Sequence, residues 1–346
     1  MHKQGKKHGS LSLKLVVVFV LLLAVITAGI FIAMRVFLWQ IGNTSAVSSA
    51  RTYSRHYAFI HTGGDDDLWD NIYAGALEKG MELDAYVEYY GEDLTVDYSR
   101  NELIDIAIHS AVDGIIIEGD AEPETAEVIG RAAEAGIPTV TVFSDCAESE
   151  RISFVGFSSY AIGRQVGAEL VRHYTGDVLS VSVVMDNAHA SSSQDLIASG
   201  IADAFSEQGL SDACSVEGLY VNSETPFTAE EDIRDVFLGE TLPDAMVALT
   251  PVYTRCLFQA AVDYNKVGDV LLFGFHDASD IIEAVGKGLM ESTVSVDAGK
   301  MGASAVDALD EYLNTGYVSN YISQEARIIL PREAAALMKE KAEEDE

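Results

Sequence analysis

The sequence predicts two α/β domains with parallel sheets facing one cleft, preceded by an N-terminal transmembrane helix. Three observations carry this. Val112 to Asp145 reads as strand, helix and strand in immediate succession. The same alternation runs twice along the chain, once between His56 and Phe143 and again from Leu179 to Leu330. Leu15 to Met34 is twenty residues without a charge; at 1.5 Å per residue it spans about 30 Å, the thickness of a bilayer core.

The middle stretch is the clearest. Gly114 to Glu118 is an apolar run that ends on a carboxylate. Pro123 to Ala135 has helical spacing, with Val128, Ile129, Ala132 and Ala133 on one side. Pro123 suits a first helical turn, where its missing N–H would have no partner. Gly136 suits the left-handed residue after a helix end. Val140 to Val142 is a second buried run. A βαβ unit needs a parallel sheet covered on both faces, and open parallel sheets bind ligands beyond the carboxyl ends of their strands. Those ends here are Glu118-Gly119-Asp120 and Phe143-Ser144-Asp145.

From the N-terminus, residues 1–14 carry Lys3, Lys6, Lys7 and Lys14, which place this end in the cytoplasm. A cleaved signal has a shorter apolar stretch of about 7–15 residues, so 15–39 reads as an uncleaved signal anchor, with Phe37 and Trp39 at the interface. With no cysteine near its end, a lipoprotein anchor is excluded. Residues 40–55 are small and polar and read as a tether. The body then begins. Tyr57–His61 is a strand, Thr62–Asp67 a polar loop, Leu68–Met81 a helix and Asp84–Tyr90 a strand. Ser99 and Glu102 form a capping box. Ile152–Phe157 is a fifth strand, and Ser159 caps a helix through His173. In the second series, strands are expected at Leu179–Met185, Ser215–Val221, Ala245–Leu249, Val270–Phe275, Thr293–Val296 and Ala326–Leu330. Helices are expected at Ser193–Gln208, Thr228–Leu238, Val252–Tyr264, Ile281–Gly286, Met301–Asn314 and from Arg332 onward. No short-period repeat is present.

Composition sets limits. The 346 residues suffice for about two domains at roughly 150 each. The formal charge is −33, and all 55 acidic residues lie at or after Asp65, with only 15 of the 22 basic ones. Such a field argues against nucleic acid, whose phosphates need Lys and Arg, and repels anionic lipids and solutes. It also serves solubility as a solvated acidic surface. Cys146, Cys214 and Cys256 are widely spaced, fit neither a disulfide framework nor a zinc pattern, and read as isolated buried thiols. No Gly-x-Ser-x-Gly elbow, Gly-x-x-x-x-Gly-Lys loop or His-Glu-x-x-His helix occurs, so no enzyme is indicated. The Asp65–Asp67 run lacks the alternate spacing and distal Glu of a calcium loop, and neither metal nor cofactor is implied. Ser191–Ser193 sits where backbone N–H groups can take an anion, although the body's charge opposes one.

The segments VDGIII, AEAGIPTVTV, ISFVGFSSYAIGRQVGAEL, DVLLFGFHDASDIIEAVGKGLMESTVS and KMGASAVDAL resemble type I periplasmic sugar-binding proteins. These are the ribose- and galactose-binding receptors, built like the ligand-binding core of LacI-type repressors. The resemblance covers about His56 to Leu330. It implies two Rossmann-like lobes joined by a three-crossing hinge, with a sugar closed between them. The crossings would fall near Phe157–Ser159, Val296–Asp297 and Tyr317–Tyr321. The N-terminal lobe would hold residues 56–157 and 297–317, and the C-terminal lobe 158–296 and 318–335. Residues 336–346 form an acidic tail. A LacI-type regulator needs a helix-turn-helix domain where this chain has its apolar span.

The same resemblance implies the ligand set. Thr62, Asp66, Leu68 and Trp69 stand where the family places polar residues and then aromatics. Asp145 stands two residues beyond the family's position after the fourth strand. His276 takes the place of the usual Asp, with Asp277 following, and Asp297 falls at the polar hinge position. The arginine expected after the sixth strand is absent from Ser191–Ile197, where Gln194 lies, and Thr250-Pro251 replaces an Asn-Asp pair. A neutral polyol needs planar donors and acceptors and an aromatic face against its C–H side, which Asp66, Asp145, Asp297 and Trp69 can supply. Each has a plainer use: Asp66 and Asp67 as helix caps, Trp69 in packing, His276 as a neutral histidine facing a helix N-terminus. The partners implied are a monosaccharide and an ABC importer permease. A membrane histidine kinase is the alternative, and an interaction module without ligand is a third.

Overall fold

Buried β-branched runs build the strands, and amphipathic stretches with clear stop signals build the helices between them. The computed structural model describes residues 52–62, 67–91, 96, 98–176, 178–186, 192–221, 226–239 and 241–344. Tyr53–Glu346 forms one unit. The expected span at 15–34 lies outside the described residues; among those described, no helix is long and apolar enough to cross a membrane.

In chain order the first series is β1 (Arg55–Ile60), α1 (Asp67–Glu82), β2 (Ala85–Tyr90), α2 (Arg100–His109), β3 (Gly114–Glu118), α3 (Pro123–Glu134), β4 (Thr139–Val142) and β5 (Ser153–Gly156). The second is α4 (Ser159–Arg172), β6 (Leu179–Asp186), α5 (Ser192–Glu207), β7 (Cys214–Val221), α6 (Pro226–Leu238), β8 (Ala245–Ala248), α7 (Pro251–Asp263), β9 (Leu271–Phe275), α8 (Ser279–Gly286) and β10 (Ser292–Val296). There follow α9 (Ala298–Thr315), β11 (Tyr321–Ser323), β12 (Ala326–Ile329) and α10 (Pro331–Glu344). The local signals act as expected. Ser99 and Glu102 complete both arms of a capping box, Pro123 opens α3, and Gly136 takes φ +79° after it. One cap shifts by a residue: the Ser158 hydroxyl accepts from the Ala161 N–H, and Ser159 is already helical.

Two six-stranded sheets result, ordered β11-β5-β4-β3-β1-β2 and β12-β10-β9-β8-β6-β7. The inner orders are equivalent strand for strand. They differ at one edge: β11 runs parallel to β5, whereas β12 runs antiparallel to β10. The chain passes between the sheets at Phe157–Ser158, at Asp297 and at Gln324–Glu325. The third passage therefore lies beyond the expected 317–321. Tyr321–Ser323, expected at the end of the crossing and in the C-terminal lobe, pairs with Phe154–Gly156 and extends the first sheet before the chain leaves it.

The helices that follow the first two passages each pack on a second helix. Helix α9 lies on α1, and α4 lies on α5. Both pairs touch through glycine. A Cβ on Gly302 would stand 1.8 Å from the Ile72 carbonyl oxygen, and one on Gly163 would stand 2.1 Å from that of Ile197. Only a residue without a side chain permits this approach. The three cysteines are free, but only Cys146 is buried; Cys214 and Cys256 are half-buried at the surface of the second lobe. Burial still raises the thiol pKa of both to about 11.

Candidate ligand-binding cleft

In the first sheet, β1 and β3 are neighbours whose helices lie on opposite faces, and ligands of parallel sheets collect at such a reversal. His61, just after β1, and Glu118, the last residue of β3, meet there with Nδ1 and Oε2 3.5 Å apart. Trp69, in the first turn of α1, stacks on His61 with ring centres 4.2 Å apart and planes 14° from parallel. Its edge meets Phe59 and Phe143. Trp69 is thus buried, one face covered by the histidine.

From Phe143 the aromatic surface crosses to the second lobe. Phe143 packs edge-on against Phe157, at the first passage between sheets, and against Phe275, the last residue of β9, with centres 5.3 and 5.6 Å apart. Phe157 and Phe275 are 5.8 Å apart. Four rings therefore pack together between strand ends of both sheets, and Trp69, Phe157 and Phe275 are buried. Next to Phe275, His276 is buried and adopts φ +83°. Its N–H donates to the Val294 carbonyl at 2.7 Å, its carbonyl accepts the Thr293 hydroxyl at 2.6 Å, and its Nδ1 lies 3.6 Å from Asp277 Oδ1.

His276 and Asp277 line two adjoining hollows. One, of about 400 Å³, is closed by Asp67, Asp70, Asn71 and Ser279. The other, of about 1120 Å³, runs along α1 past Ser295 and Asp297 to Glu325 and Arg327. At the outer rim, Arg255 on α7 donates from Nε to Asp280 Oδ2 at 2.7 Å and from Nη2 to Asp67 Oδ2 at 2.8 Å. Asp280 belongs to the second lobe and Asp67 to the first. Beneath the β3 end, Arg100 is held by Asp120, by the Thr125 hydroxyl at 3.1 Å and by the Glu118 carbonyl at 3.3 Å. Burial lowers the Arg100 pKa.

The expected ligand residues fare differently. His276 lines both hollows and Asp297 the larger one, whereas Trp69 is buried among the rings and lines neither. Thr62 is exposed beside His61. The Asp145 carboxylate is taken by Arg151, with Nη2 to Oδ2 at 2.6 Å, and by the Thr141 hydroxyl at 3.0 Å. Thr250 caps α7 by accepting from the Tyr253 N–H. Asp297 likewise caps α9 by accepting from the Lys300 N–H. The Asp67 carboxylate, expected as a cap, goes to Arg255. Asp66 and the side chain of Gln194 lie outside the described residues. Sequence reasoning placed Glu118 and Phe143 at ligand-side strand ends and Phe157 at a crossing without assigning them to the ligand set, and it missed His61, Phe275 and Arg255. His61 and Phe275 also stand at strand ends, so the sheet order was their available signal.

The chain matches the family model described as "Periplasmic binding protein domain" over residues 57–317. A D-apiose import binding protein of Paraburkholderia graminis is 22% identical over 251 residues, 70% of this chain and 75% of that protein. GanP, a glucose-galactose binding protein from Geobacillus stearothermophilus, is 22% identical and superposes with a TM-score of 0.71 over 81% of this chain and 98% of its own. A chain of the XylFII-LytSN complex is 23% identical, with a TM-score of 0.69 over 81% and 98%. With two equivalent sheets, three passages between them and this match, the chain belongs to the periplasmic binding protein family in its type I form.

Proposed function

We propose that this protein is an extracytoplasmic solute-binding protein that closes its two lobes on a monosaccharide and delivers it to an ABC importer. The observation that carries the proposal is the pair of hollows that His276 and Asp277 line between residues of both lobes, with a cluster of aromatic rings beside them at the strand ends. As the lobes part, Trp69, Phe143, Phe157 and Phe275 can offer apolar faces to sugar C–H groups, while His61, Glu118, His276 and Asp277 offer donors and acceptors to hydroxyls. The relatives named for D-apiose import and for glucose and galactose support the same solute class. Thr62, Asp66 and Gln194 stay in the proposed ligand set. Domain closure about a hinge is the response such a cleft makes, and the ligand shifts it by its differential affinity for the closed form. The chemistry is binding without turnover. In this reading residues 15–34 span the cell membrane, with the N-terminus in the cytoplasm and the acidic body outside.

The similarity to the XylFII-LytSN complex favours a second reading, in which the closed form is presented to a membrane sensor kinase. Neighbouring permease and ATPase genes would mark import; a histidine kinase and response regulator would mark sensing.

Thermal unfolding against pentoses, hexoses, inositol, nucleosides, amino acids and furanoses tests the binding step. A ligand at 100 times its dissociation constant adds about 2.7 kcal/mol, a rise of several degrees in Tm. A shift with one sugar names the solute. Absence of a shift across the panel would turn the assignment to an interaction module without a sugar ligand.

A further inference from the structure

We infer that Arg255 is a clasp across the mouth of the cleft, a positioning residue that holds the lobes closed through Asp67 independently of any ligand contact. The guanidinium is carried by α7 of the second lobe and oriented there by Asp280, which accepts from Nε at 2.7 Å and from Nη2 at 3.3 Å. That fork fixes the plane of the group. The same Nη2 reaches Asp67, the first residue of α1, at 2.8 Å. Asp67 and Asp280 both sit in first helical turns. Carboxylates are favoured there by the helix dipole.

The position gives the contact its role. Asp67 stands two residues before Trp69, on the turn that brings the indole to His61. It also lines the smaller hollow together with His276 and Asp277. Opening the lobes must pull Asp67 away from Arg255, while the Arg255–Asp280 pair stays within one lobe. The clasp is therefore broken by opening and remade by closing. Both ends are partly solvated, Arg255 at 32% and Asp67 at 61% side-chain exposure, so the contact is modest and screened by salt. It serves as a bias on the closing equilibrium and not as a lock.

This inference rests on the two-lobe closing reading above, but its test needs no sugar, so the two fail separately. The full chain, with Cys146, Cys214 and Cys256 replaced by serine, carries dyes at Glu127→Cys on α3 and Asp263→Cys on α7. Single-molecule energy transfer is recorded on the protein alone. The closed-state dwell time should shorten about two- to fivefold in Asp67→Asn, the range of a part-exposed ion pair. Raising salt from about 10 mM to about 1 M, which cuts the Debye length from about 30 Å to about 3 Å, should shorten the wild-type dwell similarly and leave Asp67→Asn unchanged. Arg255→Gln should match Asp67→Asn. Asp280→Asn keeps the arm across the cleft and should change the dwell by less than half as much. Because Asp67 is exposed, Asp67→Asn should unfold at the wild-type temperature. Equal dwell times and equal salt response in Asp67→Asn and wild type would overturn the clasp.

Discussion

Phe143 and His276 occupy equivalent places in the two lobes and share one unusual backbone. Each is the residue immediately after the third strand of its sheet, β4 or β9. Each has positive φ, +70° and +83°. Each donates its N–H to the neighbouring strand, Phe143 to Val155 O at 3.0 Å and His276 to Val294 O at 2.7 Å. Left-handed backbone at a bulky residue costs about 1–3 kcal/mol and persists where surrounding structure over-determines it, typically at ligand sites. The twist turns Phe143 toward Phe275, across the cleft, and seats His276 beside it. The strain follows the pseudo-symmetry of the fold and supports taking these two strand ends as halves of the proposed site.

That strain makes a prediction. His276→Gly relieves the left-handed penalty that His276→Ala retains, so the glycine variant should be the more stable by about 1 kcal/mol. Urea unfolding of both measures it. Alanine equal to or above glycine would show that the backbone at 276 is relaxed. Both variants should lose sugar-induced stabilisation, since both remove the imidazole.

Trp69 is the only tryptophan after residue 39, and so reports the cleft by its own fluorescence. Buried and stacked on His61, it should emit at short wavelength, and sugar binding should change its intensity. Trp69→Ala removes a packed ring and should cost about 3–5 kcal/mol of stability, which would mask a binding defect. Trp69→Phe is the cleaner probe. It should weaken sugar binding about two- to tenfold, since one aromatic contact contributes about 0.5–1.5 kcal/mol. Unchanged emission and affinity on titration with a sugar that raises Tm would place the solute elsewhere.

Asp145 shows where sequence legibility ends. The fold was readable because apolar runs of strand length alternate with stretches whose boundaries carry chemistry, such as Pro123, Gly136 and the Ser99–Glu102 pair. Strand β11 was not, since three residues at a sheet edge, two of them exposed and none buried, are too short a run to read as a strand. Asp145 follows a buried strand, as a ligand residue would, but the left-handed turn at Phe143 sends the chain back so that its carboxylate meets Thr141 and Arg151. Nothing local announces that turn, because a phenylalanine gives no sign of positive φ. Arg255 looked like any cation on a helix face, since its partners lie 188 and 25 residues away. Asp145→Ala should therefore act on stability. It leaves the Arg151 guanidinium, 7% exposed, short of its carboxylate. The cost should be about 3 kcal/mol, the low end for breaking a buried pair because Asn320 still accepts from Arg151. Calorimetry of the variant with and without a bound sugar separates this from a binding loss: the Tm falls, while the sugar-induced increment stays.

The Asp280 carboxyl sets the acid limit of the rim. Burial pushes its pKa up, but the Arg255 hydrogen bonds, the guanidinium charge and backbone N–H groups at the start of α8 outweigh this and hold it below its ordinary 3.8. A carboxyl with a depressed folded pKa contributes stability that is fully present above the unfolded value and is lost as pH falls through the folded one. The contribution from Asp280 should thus be complete above about pH 5 and decline below about pH 4. Asp280→Asn has no charge to lose, so the stability difference between wild type and variant should shrink steadily over that window. Urea midpoints taken between pH 3 and pH 7 measure it. A difference that stays constant to the acid end would mean that Asp280 titrates alike in both states, and that Arg255 does not hold its charge.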